Sequence, residues 1–240
     1  AAVQYLESQF NDPITITIDV GYGEVGGFAL SSNALGESET YLNSYSYLQL
    51  ANALKADSTS VSDASAVASL LSSNPTGTGT FWVTTAEAKA LGLSSSNSSI
   101  DGYIGFGSGS NLFDYNNSDG VTAGQYDFYG VVLHEMTEVM GRQMMDGQTF
   151  AGTKGYGPLD LFHYSANGVH TYSGTTAGYF SADGGNTNLH NFNTNPGGDF
   201  GDWAGSSLDA ANAYGSPGVI EPFSSVDLTV MDVLGFNSSS

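Results

Sequence analysis

Residues 131–142 read Val131-Val132-Leu133-His134-Glu135-Met136-Thr137-Glu138-Val139-Met140-Gly141-Arg142, and the rest of the chain is organised around them. Successive residues of an α-helix are turned by about 100°, so His134 and Glu138 lie one above the other on one face. Val132, Met136 and Val139 follow at i, i+4 and i+7, which is typical of a helix packed on a core. The pattern predicts a helix that buries one face and presents a histidine and a carboxylate on another.

Two ligands one turn apart, with an acid between them, are how a helical zinc site is built. The usual motif is H-E-x-x-H, whereas His134 to Glu138 read H-E-x-x-E. A carboxylate oxygen binds Zn²⁺ at a distance similar to that of an imidazole nitrogen, so the exchange is chemically permitted. Glu135 is placed to take a proton from a water molecule at the ion. The alternative is a solvated polar face, because H-E-x-x-E also occurs by chance on charged helices.

The composition narrows the class of protein and of site. The chain has 240 residues, enough for one large domain or two lobes around a cleft. Its formal charge of −20, from 4 Lys+Arg and 24 Asp+Glu, argues against nucleic acid or an anionic membrane as partner. Cysteine is absent, so nitrogen and oxygen ligands must hold any metal. The many Gly, Ser, Asn and Tyr residues are typical of a secreted, extracellular protein.

Hydrophobic periodicity predicts an α+β fold. Predicted strands cover residues 14–20, 80–84, 100–106 and 112–115, and predicted helices cover residues 1–10, 41–56, 60–71 and 86–91. We expect the main helix to begin near Thr122. Residues 143–220 are rich in Gly, Asn, Asp, Ser and Tyr and predict long ordered loops with a few short strands. A last helix begins with Ser224 or Ser225 as N-cap and ends at Gly235.

Five blocks of sequence occur in a specific order over about residues 14–236: Leu133-His134-Glu135-x-x-Glu138-Val139-Met140-Gly141-Arg142, Pro158-Leu159-Asp160-Leu161-Phe162-x-Tyr164-Ser165, Asp183-Gly184-Gly185-Asn186-Thr187, Gly201-Asp202-Trp203-Ala204 and Met231-Asp232-Val233-Leu234-Gly235. Together they resemble a family of secreted bacterial zinc metallopeptidases and, more distantly, the metzincins. The resemblance implies a metzincin-like fold in one catalytic domain. Residues 1–142 would form an upper lobe of mixed sheet and helices ending in the metal-binding helix, and residues 143–240 a loop-rich lower lobe with a C-terminal helix.

The third metal ligand is left open by two departures from the metzincin pattern. Met144 stands where a metzincin places its third ligand, and Met231 falls in the predicted terminal helix rather than in a Met-turn. We therefore seek the ligand in residues 158–164. Asp160 would give a His/Glu/Asp set, and His163 would give a His/His/Glu set that zinc is known to use. Ligand softness slightly favours His163, whereas the family block favours Asp160, which we prefer narrowly.

Two further side chains are candidates for supporting roles. The Tyr164 phenol would stabilise the oxyanion or bind the metal when substrate is absent, and the alternative is a packed aromatic ring with a satisfied hydroxyl. Arg142, the only arginine, would pair with a site carboxylate and fix its orientation. Its alternative is an ordinary cation at a helix C-terminus. We expect His170 and His190 to be surface or hydrogen-bonded histidines rather than metal ligands.

The leading prediction is a secreted zinc-dependent endopeptidase, monomeric, that hydrolyses protein or peptide substrates with Glu135 as general base. The rival is a non-catalytic calcium-dependent or carbohydrate-binding extracellular protein. Its Ca²⁺ would be structural and held by Asp183, Asn186, Asp199 and Asp202, although Asx-turns explain their spacing better. A third reading is a metal-dependent hydrolase that acts on something other than peptides.

Overall fold

A computed structural model describes residues 1–205 and 208–239, which form an α+β protein. The α-helices of these residues are α1 (Ala2–Gln9), α2 (Tyr47–Asp57), α3 (Val61–Ser69), α4 (Thr85–Ala90), α5 (Phe128–Val139) and α6 (Ser225–Val233). A 3-10 helix spans Leu159–Phe162. The strands are β1 (Ile18–Tyr22), β2 (Glu24–Val25), β3 (Phe28–Ala29), β4 (Gly36–Thr40), β5 (Leu42–Tyr45), β6 (Thr80–Thr84), β7 (Gly102–Phe106), β8 (Phe113–Asp114), β9 (Tyr126–Asp127), β10 (Thr149–Phe150), β11 (Thr153–Tyr156), β12 (His163–Ala166), β13 (Val169–His170), β14 (Tyr179–Phe180) and β15 (His190–Asn191).

The strands form two mixed sheets and one antiparallel sheet, with two further strand pairs. The first mixed sheet has the order β1-β7-β4, in which β7 runs parallel to β1 and antiparallel to β4. The second has the order β10-β11-β6-β5, in which β6 is parallel to β11 and antiparallel to β5. The third, β13-β12-β14-β15, is antiparallel throughout. Mixed sheets together with helices confirm the predicted α+β class.

Helix α5 lies between two apolar clusters and packs on strands β4 and β7. Leu133 and Val139 are fully buried, one in each cluster, whereas Val132 and Met136 are partly buried and contact both. The predicted apolar face is therefore in the core. A helix held from both sides by packed side chains gives its polar face a fixed direction.

The first residues of the predicted strand 14–20 are not paired in a sheet. The buried Lys89 ammonium donates to the Thr15 carbonyl at 3.0 Å, and the Thr17 N–H donates to Asp101 Oδ2 at 2.9 Å. Lys89 and Asp101 also form an ion pair of 2.7 Å. Because this ion pair already satisfies the Thr15 carbonyl and the Thr17 N–H, β1 begins only at Ile18.

Two helices begin later than the apolar spacing predicts, because a capping residue sets each start. Ser46 and Gln49 form a capping box, so α2 starts at Tyr47, and residues 42–45 pair with β6 instead. The Asp127 side chain accepts the Tyr129 N–H, so α5 starts at Phe128 rather than near Thr122. At α6 the capping box of Ser224 and Asp227 lies where the sequence predicts it.

No helix within the described residues is long and apolar enough to cross a membrane.

Candidate metal centre

His134 and Glu138 meet a third side chain, Asp202, at the polar face of α5. Each offers one ligand atom, and these atoms lie within 4.8 Å of one another. The His134 Nε2 atom is 3.5 Å from Glu138 Oε1 and 3.7 Å from Asp202 Oδ2. Two ligands about 2.1 Å from a tetrahedral zinc ion are separated by about 3.4 Å. The two distances from His134 Nε2 are therefore close to the separation of two ligands on one zinc ion.

The His134 ring is oriented for metal binding by its other nitrogen. Nδ1 lies 2.8 Å from the Ala210 carbonyl oxygen. A carbonyl oxygen only accepts, so Nδ1 carries the hydrogen and the neutral ring keeps its lone pair on Nε2. Nε2 is the atom that faces the two carboxylates. A backbone carbonyl that fixes the tautomer in this way is typical of histidines that bind metals.

The two carboxylates are each held by a neighbour on the side away from His134. The Ser38 hydroxyl on β4 donates to Glu138 Oε2 at 2.7 Å. Arg142 Nη1 donates to Asp202 Oδ1 at 3.1 Å. Each carboxylate therefore keeps one oxygen bound to the protein and turns the other towards His134 Nε2.

Asp202 reaches this position because the next residue, Trp203, is anchored in the core. Trp203 is fully buried, its backbone N–H donates to the Ala211 carbonyl at 2.9 Å, and its indole N–H donates to Asp227 Oδ1 at 2.7 Å. The segment that presents Asp202 is thus tied to the segment that carries Ala210, the acceptor for His134, and to helix α6. Three distant parts of the chain converge on α5.

Glu135 is the acid between the two helical ligands. It is 5 % exposed, and its Oε2 atom accepts no hydrogen bond from any residue in 1–205 or 208–239. It packs against Gly36 of β4, where any side chain would collide with its carboxylate. Burial, and then the charge of Glu138, raise the pKa of Glu135 well above its usual range. A buried carboxylate with a raised pKa and a free oxygen is suited to general base work.

Charges in the cluster act strongly on one another. Burial raises the pKa of Asp202 to about 7. Burial alone would lower the pKa of His134, but Asp202, Glu138 and Glu135 outweigh it and raise that pKa well above its usual value. Glu138 is also buried, yet its hydrogen bond with His134 and the charges around it lower its pKa. The carboxylates thus draw positive charge to this point, and a divalent cation would supply it in place of a proton.

The cluster lies in a cleft with a volume of about 910 Å³. Its lining includes residues 31–39, which contain most of strand β4, and residues 197–199, 201–202, 210, 212–215 and 221. Strand β4 is the last strand in its sheet order, so one of its edges has no ladder partner among the described strands. The cleft is therefore open to a large ligand and has an unpaired strand beside the cluster.

The structure corrects the predicted third ligand, because Asp160 is occupied elsewhere. Its two oxygens accept backbone N–H groups from Met145 at 3.1 Å, Asp146 at 3.0 Å and Gly157 at 2.6 Å. Asp160 is fully buried and does not line the cleft. Its role is to hold the loop after α5 against the 3-10 helix.

The other two candidates from the same segment also lie away from the cluster. His163 packs against Phe192 with its ring centroids 5.0 Å apart, and it is 1 % exposed. Tyr164 is fully buried, and its hydroxyl donates to Ser69 Oγ at 3.0 Å. Tyr164 is thus a packed aromatic ring with a satisfied hydroxyl, and His163 and Tyr164 are corrected as site residues. Tyr126 and Tyr214 are the tyrosines that line the cleft.

His163 carries a prediction for the pH dependence of stability. Burial lowers the pKa of His163 to about 4, and neither ring nitrogen has a hydrogen-bond partner in the described structure. Below pH ~6.5 the unfolded chain binds a proton at this histidine that the folded chain does not bind, so stability falls as the pH falls towards 4. Between pH ~7 and ~4.5, the free energy of unfolding in urea should fall for the unmodified protein by about 2–3 kcal/mol more than it falls for His163→Gln. Equal losses in the two proteins would contradict this account.

Arg142 lies against a site carboxylate, as one of its two predicted roles requires. It is 1 % exposed, and its guanidinium carbon lies 4.5 Å from the centroid of the Trp203 ring while Nη1 binds Asp202. Gly141, with φ +119, ends α5 and turns the chain so that Arg142 reaches this place. A planar guanidinium can bind a carboxylate and stack on an indole at once, which an ammonium cannot match.

The substitution Arg142→Lys is expected to weaken zinc binding by about 10- to 100-fold, because Asp202 loses the partner that orients it. Competition with a chromogenic chelator measures this affinity. Lys154→Gln, which removes an exposed cation, is the control and should bind zinc as the unmodified protein does. Unchanged affinity in Arg142→Lys would leave Arg142 with a packing role alone.

The four residues of the predicted calcium site are not one cluster. Asp183 accepts the Thr187 N–H at 2.8 Å and the Thr187 hydroxyl at 2.6 Å, and the Asn186 amide donates to the Asp183 carbonyl at 2.6 Å. These are local turn contacts, as the Asx-turn alternative predicts. Asp199 and Asp202 instead line the cleft. His170 stacks with Tyr172 and His190 with Trp203, and neither belongs to the triad.

Asp202, which the sequence analysis considered only for a structural calcium site, lies with His134 and Glu138 in the structure. It appears in the block Gly201-Asp202-Trp203-Ala204, so the signal was present, but nothing in its local pattern joins it to helix α5. Comparison of the chain with family models, with curated proteins and with solved structures gives no match, so the resemblance to zinc metallopeptidases stays a prediction.

Proposed function

We propose that this protein is a zinc-dependent endopeptidase of the secreted type, with a metzincin-like arrangement of its cleft. The observation that carries the proposal is the convergence of His134 Nε2 with one oxygen each of Glu138 and Asp202, next to the unpartnered carboxylate oxygen of Glu135. Three protein ligands and one neighbouring acid are the parts that a catalytic zinc site requires. A nitrogen ligand in the set favours zinc over calcium, which prefers oxygen ligands throughout.

His134, Glu138 and Asp202 would hold the ion, and the bound ion would lower the pKa of a water molecule and polarise a carbonyl group. Glu135 takes the proton from the attacking water and later gives it to the amine that leaves. The same carboxylate can serve both steps because its Oε2 atom has no hydrogen-bond partner among the described residues and is free to hold the proton between them. Arg142 keeps Asp202 in place, and Ser38 keeps Glu138 in place.

The shape of the cleft supports a peptide as substrate. Strand β4 carries Ser38, the partner of Glu138, its residues 36–39 line the cleft, and one of its edges has no ladder partner among the described strands. An extended peptide that pairs with such an edge gains main-chain hydrogen bonds whatever its sequence. This pairing would bring a scissile carbonyl past the triad. The same feature favours an endopeptidase over a hydrolase of small molecules.

The test combines metal analysis with proteolysis. We expect elemental analysis to find about one zinc per chain and casein hydrolysis to stop when a chelator removes it, since three ligands hold the ion. The variant His134→Ala should lose both zinc and activity, while Glu7→Gln, on the exposed face of α1, should retain both. Calcium in place of zinc, or hydrolysis that survives complete metal removal, would refute the proposal.

A further inference from the structure

The cleft contains more carboxylates than the proposed chemistry uses. Beyond the triad and Glu135, its lining includes Glu37 and Glu39 of β4, Asp199 and Glu221. Arg142 is the one cation among the residues that line it, and Asp202 already binds it. A divalent ion at the triad would offset Glu138 and Asp202, and the other carboxylates would stay uncompensated. Walls of one charge sign around a low-dielectric cleft attract ligands of the opposite sign.

Glu221 is the most rigidly placed of these extra acids. It is 3 % exposed, its Oε1 atom accepts the Ser216 N–H at 2.8 Å, and its backbone N–H donates to Asp127 Oδ2 at 3.1 Å. Asp127 is the N-cap of α5, and a Cβ on Gly130 in the first turn would lie 2.7 Å from the Glu221 carbonyl oxygen. Glu221 is therefore fixed to the helix that carries His134 and Glu138.

The position of Glu221 relative to the triad indicates what it recognises. It lines the same cleft as His134, yet it is not one of the three ligands. The Glu135 Oε2 atom, buried and without a partner in the described structure, faces the same cleft. A carboxylate fixed beside a reacting centre, but outside its ligand set, is placed to bind a side chain next to the scissile bond.

We propose that the cleft selects peptides with a lysine or arginine beside the scissile bond, and that Glu221 is the principal residue that recognises this cation. The inference rests on the proposed endopeptidase function and adds its substrate class. Glu37 and Glu39 extend the negative wall along β4 and steer basic segments into the cleft. A charged hydrogen bond in a desolvated pocket also penalises acidic side chains at that position, which sharpens the selection.

The first experiment compares three fluorogenic peptides that differ only in the residues flanking the scissile bond, which are lysine, leucine or glutamate. We expect kcat/KM for the lysine peptide to exceed that for the leucine peptide by at least about tenfold, which is what one desolvated charge pair contributes. Glu221→Gln keeps the acceptor for Ser216 and should remove most of this preference while leaving the leucine peptide almost unchanged. The double variant Glu37→Gln/Glu39→Gln should reduce the preference for the lysine peptide less, and Glu7→Gln should leave this preference unchanged.

The second experiment measures binding without turnover. A labelled lysine-rich peptide is titrated into Glu135→Gln, with and without Glu221→Gln, and followed by fluorescence anisotropy. We expect Glu221→Gln to weaken binding of the peptide by about tenfold. Added salt should weaken binding more when Glu221 is present than when it is replaced by glutamine. This readout does not depend on hydrolysis, so it also applies if a variant turns over slowly.

The possible results separate the two proposals. Equal cleavage of the three peptides would overturn the substrate class and leave the endopeptidase function standing. An equal loss for every peptide in Glu221→Gln would also overturn it, since Glu221 would then have only a structural role. No cleavage of any peptide, together with Glu221-dependent binding of the basic peptide, would overturn the endopeptidase function and retain recognition of basic segments.

Discussion

Replacing Glu135 with glutamine is expected to reduce kcat for peptide hydrolysis by about 10²- to 10⁴-fold, the usual contribution of a general base. The reason is that the amide cannot take the proton of the attacking water, although it fills the same space against Gly36. Zinc content and the midpoint of thermal unfolding should stay close to those of the unmodified protein, because Glu135 is not one of the three ligands. Peptide hydrolysis, elemental analysis and calorimetry on the same preparation measure the three quantities.

The specificity of this result depends on its comparison with a ligand variant. Glu138→Gln should lose zinc together with activity, whereas Glu135→Gln should lose activity alone. If Glu135→Gln hydrolyses peptides at the normal rate, the acid that accepts the proton is another residue. If it loses zinc, Glu135 itself binds the ion.

The second large effect concerns the choice between Asp202 and Asp160. Asp202→Asn should lower zinc affinity by more than about 100-fold, since even residues that only orient a ligand contribute 10- to 100-fold. Asp160→Asn should retain zinc but unfold more easily. Asp160 accepts three backbone N–H groups, and an amide can replace only some of these bonds. For Asp160→Asn we expect the free energy of unfolding to fall by about 3 kcal/mol, which lowers the midpoint of thermal unfolding by about 10 °C.

The two assignments of the third ligand predict opposite results for Asp202→Asn and Asp160→Asn in metal competition assays and in thermal unfolding. Zinc lost from Asp160→Asn and retained by Asp202→Asn would restore the ligand set that the local sequence favours. Glu7→Gln, on the exposed face of α1, serves as a control for both measurements.

The elements that local periodicity specifies were predictable from the sequence. The helix around His134 and Glu138, the α+β class and the cap at Ser224 follow from apolar spacing and capping chemistry, and the structure has all three. Strand β4 was not predicted, because its polar residues Gly36–Thr40 lack apolar alternation. They form a strand because β7 pairs with them and the cleft, rather than the core, lies along them.

The place of Asp202 beside His134 and Glu138 was not predictable for a different reason. Asp160 follows α5 closely and adjoins an aromatic block, so local reasoning favours it. Asp202 reaches the centre only through long-range contacts, namely the burial of Trp203 and its hydrogen bonds to Ala211 and Asp227. Such contacts between distant segments leave no periodic trace in the sequence. The same limit applies to Tyr164, whose partner Ser69 lies on another helix.

The burial of Lys89 and Arg142 has a consequence for the lifetime of the protein. These two side chains are 4 % and 1 % exposed, so Lys55 in α2 and Lys154 in β11 are the basic residues left on the surface. Both lie within hydrogen-bonded elements, which must open before they can enter another molecule's cleft. An enzyme that prefers basic residues would therefore resist autolysis and persist at high concentration.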